Sequence, residues 1–566
     1  MAEVRKPELA PSDEYVESRH HRSRTLAVSV HVLAALILCT LATFTALVVL
    51  LVLRVHTEQA HVATSAIFDP SRSWGHFSRY SDNSPEAFDV TDVGLPATCQ
   101  IVQVHILQHS AQRLPESYAS EGGKQLDLMQ RLTKLRASNA GIAFTGPLAF
   151  MNNYEYALQP TGALTRSGKA TELERGVAAW NAYGRMLYSN DPIRSSKTTQ
   201  PFVRVTNSTH TMPGVPYWLA GFCDTVQSSS EQPNISIAAL TSPSQDMDLV
   251  TLSETYPSNN TLAPYLNCPN SNTFPISSFG ELIAAKYANT YLLPTLSRLQ
   301  SHFPPSVALN TSDLYTMQQL CVFETNTFGT SPFCSLFTPA EWAAYELTMD
   351  QLFYYDFSYG NSTGRAQGMG YLQELLARLQ HHVITLSDSS VNATIDDTVD
   401  EFPLDRKMYV DFTHSNTIVS VLTAMSMDWF KDPPGLGQAH IRPRDQRRFV
   451  AANIVPAGAN LVTEVITCED EKPLVRKEVK IDTRQEKAWK DKFVRMRLNG
   501  GILPLSTIRG GDCGERSDGM CELGKFVKSQ NRSYERSHFV DACYGHYVGR
   551  VDMDEIGEGS DGTTRK

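Results

Sequence analysis

The sequence predicts an α/β domain with a helical insert, preceded by one transmembrane helix. An apolar run from Thr25 to Leu53 contains no Asp, Glu, Lys or Arg. A β-rich run from Ile101 to Leu107 leads into a polar loop, and Leu128, Leu132 and Leu135 then follow at helical spacing. This succession is the strand–loop–helix unit of α/β domains, whose ligand sites lie at the carboxyl ends of the strands.

Further strands and helices are predicted along the chain from the same periodicities. The predicted strands are 202–206, 407–412, 461–467 and 474–481, and the predicted helices are 281–300, 339–352 and 367–379. Residues 54–95 are polar without a sustained period and are predicted to form a stem, and the body extends over 96–545. Within the body, 226–354 is predicted to be a helical insert, and 546–566 an acidic disordered tail.

The composition excludes several classes of protein. The chain has 566 residues, of which 42% are hydrophobic and 19% charged, with 50 Lys and Arg against 60 Asp and Glu. Because affinity for a phosphate backbone needs clustered basic residues, this balance argues against nucleic acid as a partner. The sequence has no C-x2-C pair and no P-loop, and His105 and His109, four residues apart, are by themselves weak evidence for a metal pair. We therefore predict neither a metal nor a cofactor.

The apolar run predicts a membrane anchor. It spans roughly 43 Å as a helix, whereas the hydrocarbon core of a bilayer measures about 30 Å. The apolar region of a signal peptide is shorter, about 7 to 15 residues. Basic residues are concentrated before the run, at Arg5, Lys6, Arg19, Arg22 and Arg24. The positive-inside rule therefore predicts a cytosolic tail over 1–24, an anchor over 25–53 and a luminal or extracellular body, as in a single-pass type II membrane protein. A cleaved atypical signal is the alternative.

Sequons and cysteines agree with an oxidising compartment. All seven N-x-[ST] sequons follow the apolar run, at Asn207, Asn234, Asn259, Asn310, Asn361, Asn392 and Asn531. Cys39 lies inside the run and nine cysteines follow it. Disulfides persist on that side of a membrane, and an odd number leaves at least one cysteine outside an internal bridge.

Several segments resemble the histidine acid phosphatases, which have the phosphoglycerate mutase-like fold, and most closely the fungal phytase-like branch. These segments are LVTLSETYPSNNTLAPYLNC (249–268), LCVFETNTFGTSPFCSLFTPAEW (320–342), AQGMGYLQELLARL (366–379), MYVDFTHSNTIVSVLTAM (408–425) and CEDEKPLVR (468–476). The resemblance covers roughly 96–545 and implies an α/β sandwich body with a helical cap. It also implies the bridges Cys99–Cys468, Cys268–Cys543, Cys321–Cys334 and Cys513–Cys521, with Cys223 left over.

The family reaction implied by this resemblance uses a histidine nucleophile in an R-H-G-x-R-x-P loop. The histidine attacks phosphorus, arginines clamp the phosphate oxygens, and a later His-Asp pair protonates the leaving alcohol. A gapless match to the loop places Ser110 at the nucleophile position and His109 at the first arginine, and it retains Arg113. The alternative places His109 at the nucleophile position and requires one inserted residue before Arg113.

The later positions of the family site are partly substituted. Arg204 matches the strand arginine, His210 stands at a second arginine position, and His414-Ser415 replaces the His-Asp pair. The predicted site is therefore His109 or Ser110, His414 and Ser415 for catalysis, with Arg113, Arg204 and His210 for phosphate. Because the sequon of Asn207 falls within this site, we expect Asn207 to be buried and unmodified.

The sequence thus predicts a membrane-anchored phytase-like protein with weak or absent phosphomonoesterase activity. If it is active, its partner is a phosphomonoester such as an inositol phosphate. The alternative is a non-catalytic phosphate-binding or cell-surface interaction protein.

Overall fold

The computed structural model of the chain describes residues 44–45, 69–117, 119–138, 143–188, 200–227, 248–304, 307–431, 443–469, 491–547 and 561–564. The chain divides into two compact units, Met1–Asp69 and Pro70–Lys566, and the fold below is that of the second. Nearly all of the anchor predicted over 25–53 lies outside the described residues. Within the ranges that the structure describes, no helix has the length and apolar character needed to cross a membrane.

A mixed sheet forms the centre of this unit. Its strands are β1 (Cys99–His109), β2 (Phe202–Thr206), β3 (Asp248–Leu252), β4 (Met408–Thr413), β5 (Asn460–Cys468), β6 (Lys492–Leu498), β7 (Gly501–Ile502) and β8 (Cys521–Glu522). The order is β3-β2-β4-β1-β5-β6-β7, and β8 pairs with β6. The first four strands in this order are parallel, and β5 and β6 are antiparallel to their neighbours. The carboxyl ends of β1 to β4 therefore meet at one edge of the sheet.

Helices cover both faces of the sheet because its central strands are apolar on both sides. Ile106 packs on one face with Trp218 and Phe222, and Leu107 packs on the other with Leu372 and Ile418. The helices of eight or more residues are Lys124–Ser138, Arg166–Ala179, Val215–Gln227, Phe279–Tyr291, Leu293–Gln300, Thr311–Phe328, Pro339–Phe357, Gly364–Gln380, Ser415–Ala424 and Leu523–Gln530. Shorter ones are Arg185–Leu187, Ala393–Asp396, Ala451–Ile454, Ser533–Ser537 and Phe539–Tyr544.

The helical region begins later than predicted. The strand β3 pairs in parallel with β2, so 248–252 belongs to the sheet and not to a helical insert that starts at 226. The predicted helix 281–300 is two helices, since Pro294 lies in the first turn of the second one and has no N–H to continue the first. Capping boxes at Asn310 and Thr338 define the starts of the next two helices.

Two predicted boundaries are wrong. Trp74, Phe77 and Phe88 are buried in the hydrophobic core, so the part of the predicted stem from residue 70 onward belongs to the folded unit. The predicted disordered tail includes residue Asp561, whose carboxylate pairs with Arg365, Lys431 and Arg509 at distances of 2.5 to 3.1 Å. In both segments a few apolar or charged side chains find partners that are distant in sequence.

The predicted strands 202–206, 407–412 and 461–467 are confirmed, and the predicted strand 474–481 lies outside the described residues. All four disulfides implied by the resemblance are present: Cys99–Cys468, Cys268–Cys543, Cys321–Cys334 and Cys513–Cys521. The first joins paired residues of β1 and β5. Cys223 forms no disulfide with another cysteine in the described ranges.

Candidate functional site

A cavity of about 890 Å³ opens at the edge where the parallel strands end. The end of β1 contributes His109, the residues after β2 contribute His210, and those after β3 and β4 contribute Glu254 and His414. Four separate segments of sequence thus converge because parallel strands present their carboxyl ends together. The volume suits a small organic ligand.

The side chain of His109 lines the cavity, whereas that of Ser110 does not. His109 Nδ1 lies 3.0 Å from the carbonyl oxygen of Pro456 and donates to it, so Nε2 carries the lone pair of the neutral ring. Burial lowers the pKa of His109 to about 3. The hydroxyl of Ser110 is buried without a hydrogen-bond partner among the described residues. The geometry therefore favours His109, and not Ser110, for the nucleophile position.

Arg113 also lines the cavity, but its charge is already matched. Its two terminal nitrogens donate to the two carboxylate oxygens of Glu121, each at 2.9 Å, and one of them also donates to the carbonyl oxygen of Leu114. The guanidinium lies 5.4 Å from the ring centre of Phe77. This bidentate pair is the geometry with which an arginine would otherwise grip a phosphate.

Two histidines and two carboxylates form a chain across the cavity. Glu254 Oε1 lies 2.9 Å from His414 Nε2, and His414 Nδ1 lies 3.3 Å from His210 Nε2. At the other end, His210 Nδ1 is 3.5 Å from Glu116 Oε1. Burial, with the nearby charges of His414 and Arg113, holds the pKa of His210 well below its usual value.

Glu254 is held as a carboxylate. Burial acts to raise its pKa, but hydrogen bonds from His414, Tyr265 and Thr206 outweigh burial and lower the pKa to about 2. At Glu116, by contrast, burial dominates and raises the pKa. The cavity therefore contains an ionised acid at one end of the histidine chain.

Arg204 does not reach the cavity, which corrects its predicted role in phosphate binding. Its Nε donates to Asp411 at 2.6 Å and its Nη2 to Glu374 at 2.5 Å. Arg378 donates to the second oxygen of Asp411 at 2.9 Å. The side chain of Arg204 is 1% exposed and lies within a buried ion-pair network beside the sheet. Its cost of desolvation is offset by these carboxylates, so its function is structural.

The remaining predicted residues lie at the cavity. Ser415, the first residue of the helix Ser415–Ala424, lines it. Asn207 is exposed and also lines the cavity, so the expectation that it is buried is wrong. The structure thus brings together His109, Arg113, His210, His414 and Ser415, and it leaves Ser110 and Arg204 outside.

The groups of the cavity that sequence analysis missed include Glu254, Glu121, Glu116 and His76. Glu254 follows β3 by two residues, a position at a strand end that would have identified it had β3 been recognised. Glu121 is eight residues from Arg113, and no spacing rule links the two. His76 was missed because it lies in the segment that was assigned to the stem.

The protein is an α/β protein with a histidine-lined cavity at the carboxyl ends of its parallel strands. Comparison with known proteins shows its family. The family model of the histidine phosphatase superfamily, branch 2, matches residues 100–498. The chain belongs to this superfamily.

Individual relatives are distant. Phytase A of Aspergillus oryzae is 28% identical over 464 residues, which cover 81% of this chain and 87% of that protein. Phytase A of Penicillium oxalicum is 29% identical over 428 residues, covering 72% and 82%. The crystal structure of the phytase from D. castellii has a TM-score of 0.60 at 20% identity and covers 84% of this chain and 88% of that one. The last likeness shows the shared fold.

Proposed function

We propose that this chain is a ligand-binding member of the histidine phosphatase superfamily that hydrolyses phosphomonoesters weakly or not at all. The observation that carries the proposal is the bidentate pair of Arg113 with Glu121. Among the described residues Arg113 is the one arginine that lines the cavity. A phosphate would have to displace a carboxylate that already occupies both terminal nitrogens.

The charges around this pair support the same proposal. A bound phosphate needs several convergent cations, whereas here Glu254 is ionised and Glu116 lies beside His210. Ser415 stands where a proton donor is needed, and its hydroxyl is far too weak an acid for that task. Both the binding of phosphate and the departure of the alcohol are therefore impaired.

His109 supports a second candidate function, a residual phosphomonoesterase. Its ring is neutral and its Nδ1 is held by the carbonyl of Pro456, which leaves the lone pair of Nε2 as a nucleophile. In this candidate Nε2 attacks phosphorus as the ester P–O bond breaks, and the alcohol leaves as an alkoxide that takes its proton from water. A second water then hydrolyses the phosphohistidine, which releases phosphate and restores the lone pair of Nε2. The curated relatives are named phytases, so an inositol phosphate is the first substrate to test.

Turnover of p-nitrophenyl phosphate and of inositol hexakisphosphate at acidic pH tests the proposal. Without a general acid we expect rates lower by about 10² to 10⁴ than those of an active phytase assayed in parallel. A wild-type kcat of about 10 s⁻¹ or more, typical of enzymes, would contradict the proposal.

Matched variants distinguish the two candidates. Residual turnover that is lost in His109→Ala and kept in Ser110→Ala supports the phosphohistidine route. A double variant His210→Arg/Ser415→Asp returns an arginine and an acid to the cavity, and a gain in turnover would show that the missing groups limit the rate. An unchanged rate in this double variant would mean that His109 itself is misplaced for attack.

We further propose that residues 25–53 anchor the chain as a type II membrane protein. The support is the sequence pattern, together with four disulfides that suit an oxidising compartment. Protease treatment of intact microsomes should leave the body protected and remove an epitope placed before residue 24. Release of the body by carbonate extraction alone would contradict an anchor.

A further inference from the structure

Residues 561–564 lie in a pocket that shares none of its residues with the cavity at the strand ends. In the sequence, 548–560 connect this segment to the rest of the folded unit, and they lie outside the described ranges. The residues of the chain that contact the segment in this pocket include Tyr359, Arg365, Thr423, Lys431 and Arg509. None of these five lines the cavity. The pocket is therefore a separate place on the molecule.

Three permanent cations converge on the carboxylate of Asp561. Its Oδ1 accepts from Lys431 Nζ at 2.7 Å and from Arg509 Nη2 at 2.8 Å. Its Oδ2 accepts from Arg509 Nη1 at 2.5 Å and from Arg365 Nη2 at 3.1 Å. Burial acts to raise the pKa of Asp561, but these hydrogen bonds and charges outweigh burial and hold the pKa well below its usual value. Such charge-assisted bonds are roughly twice as strong as neutral ones.

The walls of the pocket do not compensate their own positive charge. Arg509 has a second carboxylate partner, because its Nε and Nη2 donate to Asp428 at 2.6 and 2.7 Å. Among the described residues, Asp561 is the one carboxylate in an ion pair with Arg365 or with Lys431. The side chain of Arg365 is 0% exposed, and a buried charge needs a partner. The pocket therefore requires an anion, and the segment 561–564 supplies it.

The pocket also fits the backbone that follows this carboxylate. The N–H of Gly562 donates to the carbonyl oxygen of Tyr359 at 2.9 Å, and its carbonyl oxygen accepts from the N–H of Arg365 at 2.8 Å. A Cβ atom at Gly562 would lie 2.8 Å from Thr423 Cγ2 and 2.9 Å from Arg365 Cγ, and φ here is +73°. Only glycine meets both requirements without strain.

Three successive residues are thus recognised in different ways. Asp561 is bound by charge, Gly562 by the space available to it, and Thr563 by a hydrogen bond of 3.0 Å from its hydroxyl to the carbonyl oxygen of Ser537. Sites that bind peptides combine main-chain hydrogen bonds, which give affinity, with separate contacts to side chains, which give specificity. The contacts of 561–563 have both components.

We propose that this pocket is a binding site for an Asp-Gly-Thr peptide segment, and that residues 561–564 occupy it as a ligand tethered to the same chain. A free peptide of the same sequence binds there when the tethered copy is displaced. The site is separate from the cavity, so the inference does not rest on the proposed function.

Fluorescence anisotropy with a labelled Ser-Asp-Gly-Thr-Thr peptide tests the proposal on the full chain. Asp561→Lys should displace the tethered copy, because its new side chain would meet Arg365, Lys431 and Arg509. We expect saturable binding of the peptide to this variant. Binding to the wild type should be weaker by about tenfold or more, because a ligand on a short tether competes at an effective concentration on the order of millimolar.

Variants of the peptide test each mode of recognition on the Asp561→Lys chain. Asp561→Asn in the peptide should weaken binding by about tenfold or more, the usual value of a hydrogen bond to a charged group. Gly562→Ala in the peptide should abolish saturable binding, because its methyl group has no space. Thr563→Val is the matched control, since it removes one neutral hydrogen bond and should weaken binding by less than about tenfold.

Thermal unfolding provides the second measurement. The peptide should raise the thermal midpoint of Asp561→Lys and leave that of the wild type unchanged. Gly562→Ala in the full chain displaces the segment by shape while it keeps the carboxylate, and it should bind the free peptide as Asp561→Lys does.

Equal binding to the wild type and to Asp561→Lys would overturn the proposal, as would a folded Asp561→Lys chain that binds no peptide. Undiminished binding of the Gly562→Ala peptide would contradict the recognition of glycine and overturn it as well. If both full-chain variants fail to fold even with the peptide present, the segment is an integral part of the fold and not a ligand, and the proposal is wrong.

Discussion

Arg113 and Arg204 have the same charge, but they differ in their partners and in their position relative to the cavity. Arg113 reaches the cavity and pairs there with one glutamate, whereas Arg204 is enclosed by Asp411 and Glu374. Arg204 and Asp411 face each other across β2 and β4, so the pair is built into the register of the sheet. Removing a buried partner of this kind leaves an uncompensated charge.

Substitution of Arg204 by methionine should therefore reduce stability rather than ligand binding. We expect Arg204→Met to lower the free energy of unfolding by about 3–5 kcal/mol, because Asp411 and Glu374 lose a shared cation. Urea denaturation followed by circular dichroism measures this change. Arg113→Met is the control, and with its partly exposed pair it should lose less. If Arg204→Met were as stable as the wild type but bound a ligand more weakly, Arg204 would be a ligand-binding residue and the prediction would be wrong.

Sequence analysis predicted the residue types of the site better than their orientation. The choice between His109 and Ser110 depended on one inserted residue, and only the three-dimensional structure shows which side chain faces the cavity. Arg204 was assigned to phosphate from the family resemblance, and its acidic partner Asp411 is 207 positions away, where no local pattern could indicate it. The histidine chain was partly anticipated, since His210 and His414 were both named, but their contact could not be.

At the scale of elements, the helix Arg166–Ala179 positions the loop after β1. Glu172, which is fully buried in this helix, accepts a hydrogen bond of 2.7 Å from the backbone N–H of Ala111, two residues after His109. The same helix packs closely on the helix Val215–Gln227. A Cβ atom at Gly176 would lie 1.9 Å from the carbonyl oxygen of Trp218, so only glycine permits this approach.

The carboxyl of Glu172 makes the stability of the protein depend on pH. Burial raises its pKa to about 8, from an ordinary value of 4.5 in the unfolded chain. The native state therefore retains a proton that the unfolded state releases. The resulting stability is complete below pH 4.5, declines as the pH rises and is lost as the pH passes through 8.

Glu172→Gln should flatten this dependence. Over the window from pH 4.5 to 8 we expect the wild type to lose about 1.4 kcal/mol more per pH unit than the variant, the value for one proton. Urea unfolding at a series of pH values measures both slopes. Asp356→Asn is a useful comparison, because burial raises the pKa of Asp356 to about 8 as well. Parallel curves for wild type and Glu172→Gln would show that Glu172 is ionised in the folded protein.

The sequence predicted strands and helices correctly where the pattern lay within one short stretch of residues. The strand Phe202–Thr206 has the predicted bounds, and the helix Gly364–Gln380 encloses its predicted range. The strand β3 was missed because it lies beside a segment rich in Ser, Asn and Pro, and its place in the sheet is set by pairing with β2. Tertiary contact, more than local propensity, decides such a short strand.

On the scale of the whole molecule, segments that were predicted to lie outside the domain complete it. Residues 70–90 bury Trp74 and Phe88 in the core, and His76 of the same segment lines the cavity. Asp561 compensates Arg365, whose side chain is fully buried. Neither segment has a periodic pattern, so the sequence alone favoured a stem and a tail. Their order arises from a few long-range contacts, which only the folded unit reveals.

The place of β1 in the sheet affects how the chain folds while it is being synthesised. This strand is made first, yet it lies between β4 and β5, and its disulfide partner is 369 residues further along the chain. While the ribosome translates the intervening sequence, the apolar run from Ile101 to Leu107 has no strand beside it. Such long-range pairing is slow to form and leaves an aggregation-prone edge exposed. We therefore expect the nascent chain to depend on chaperones that shield β1 until β4 and β5 emerge.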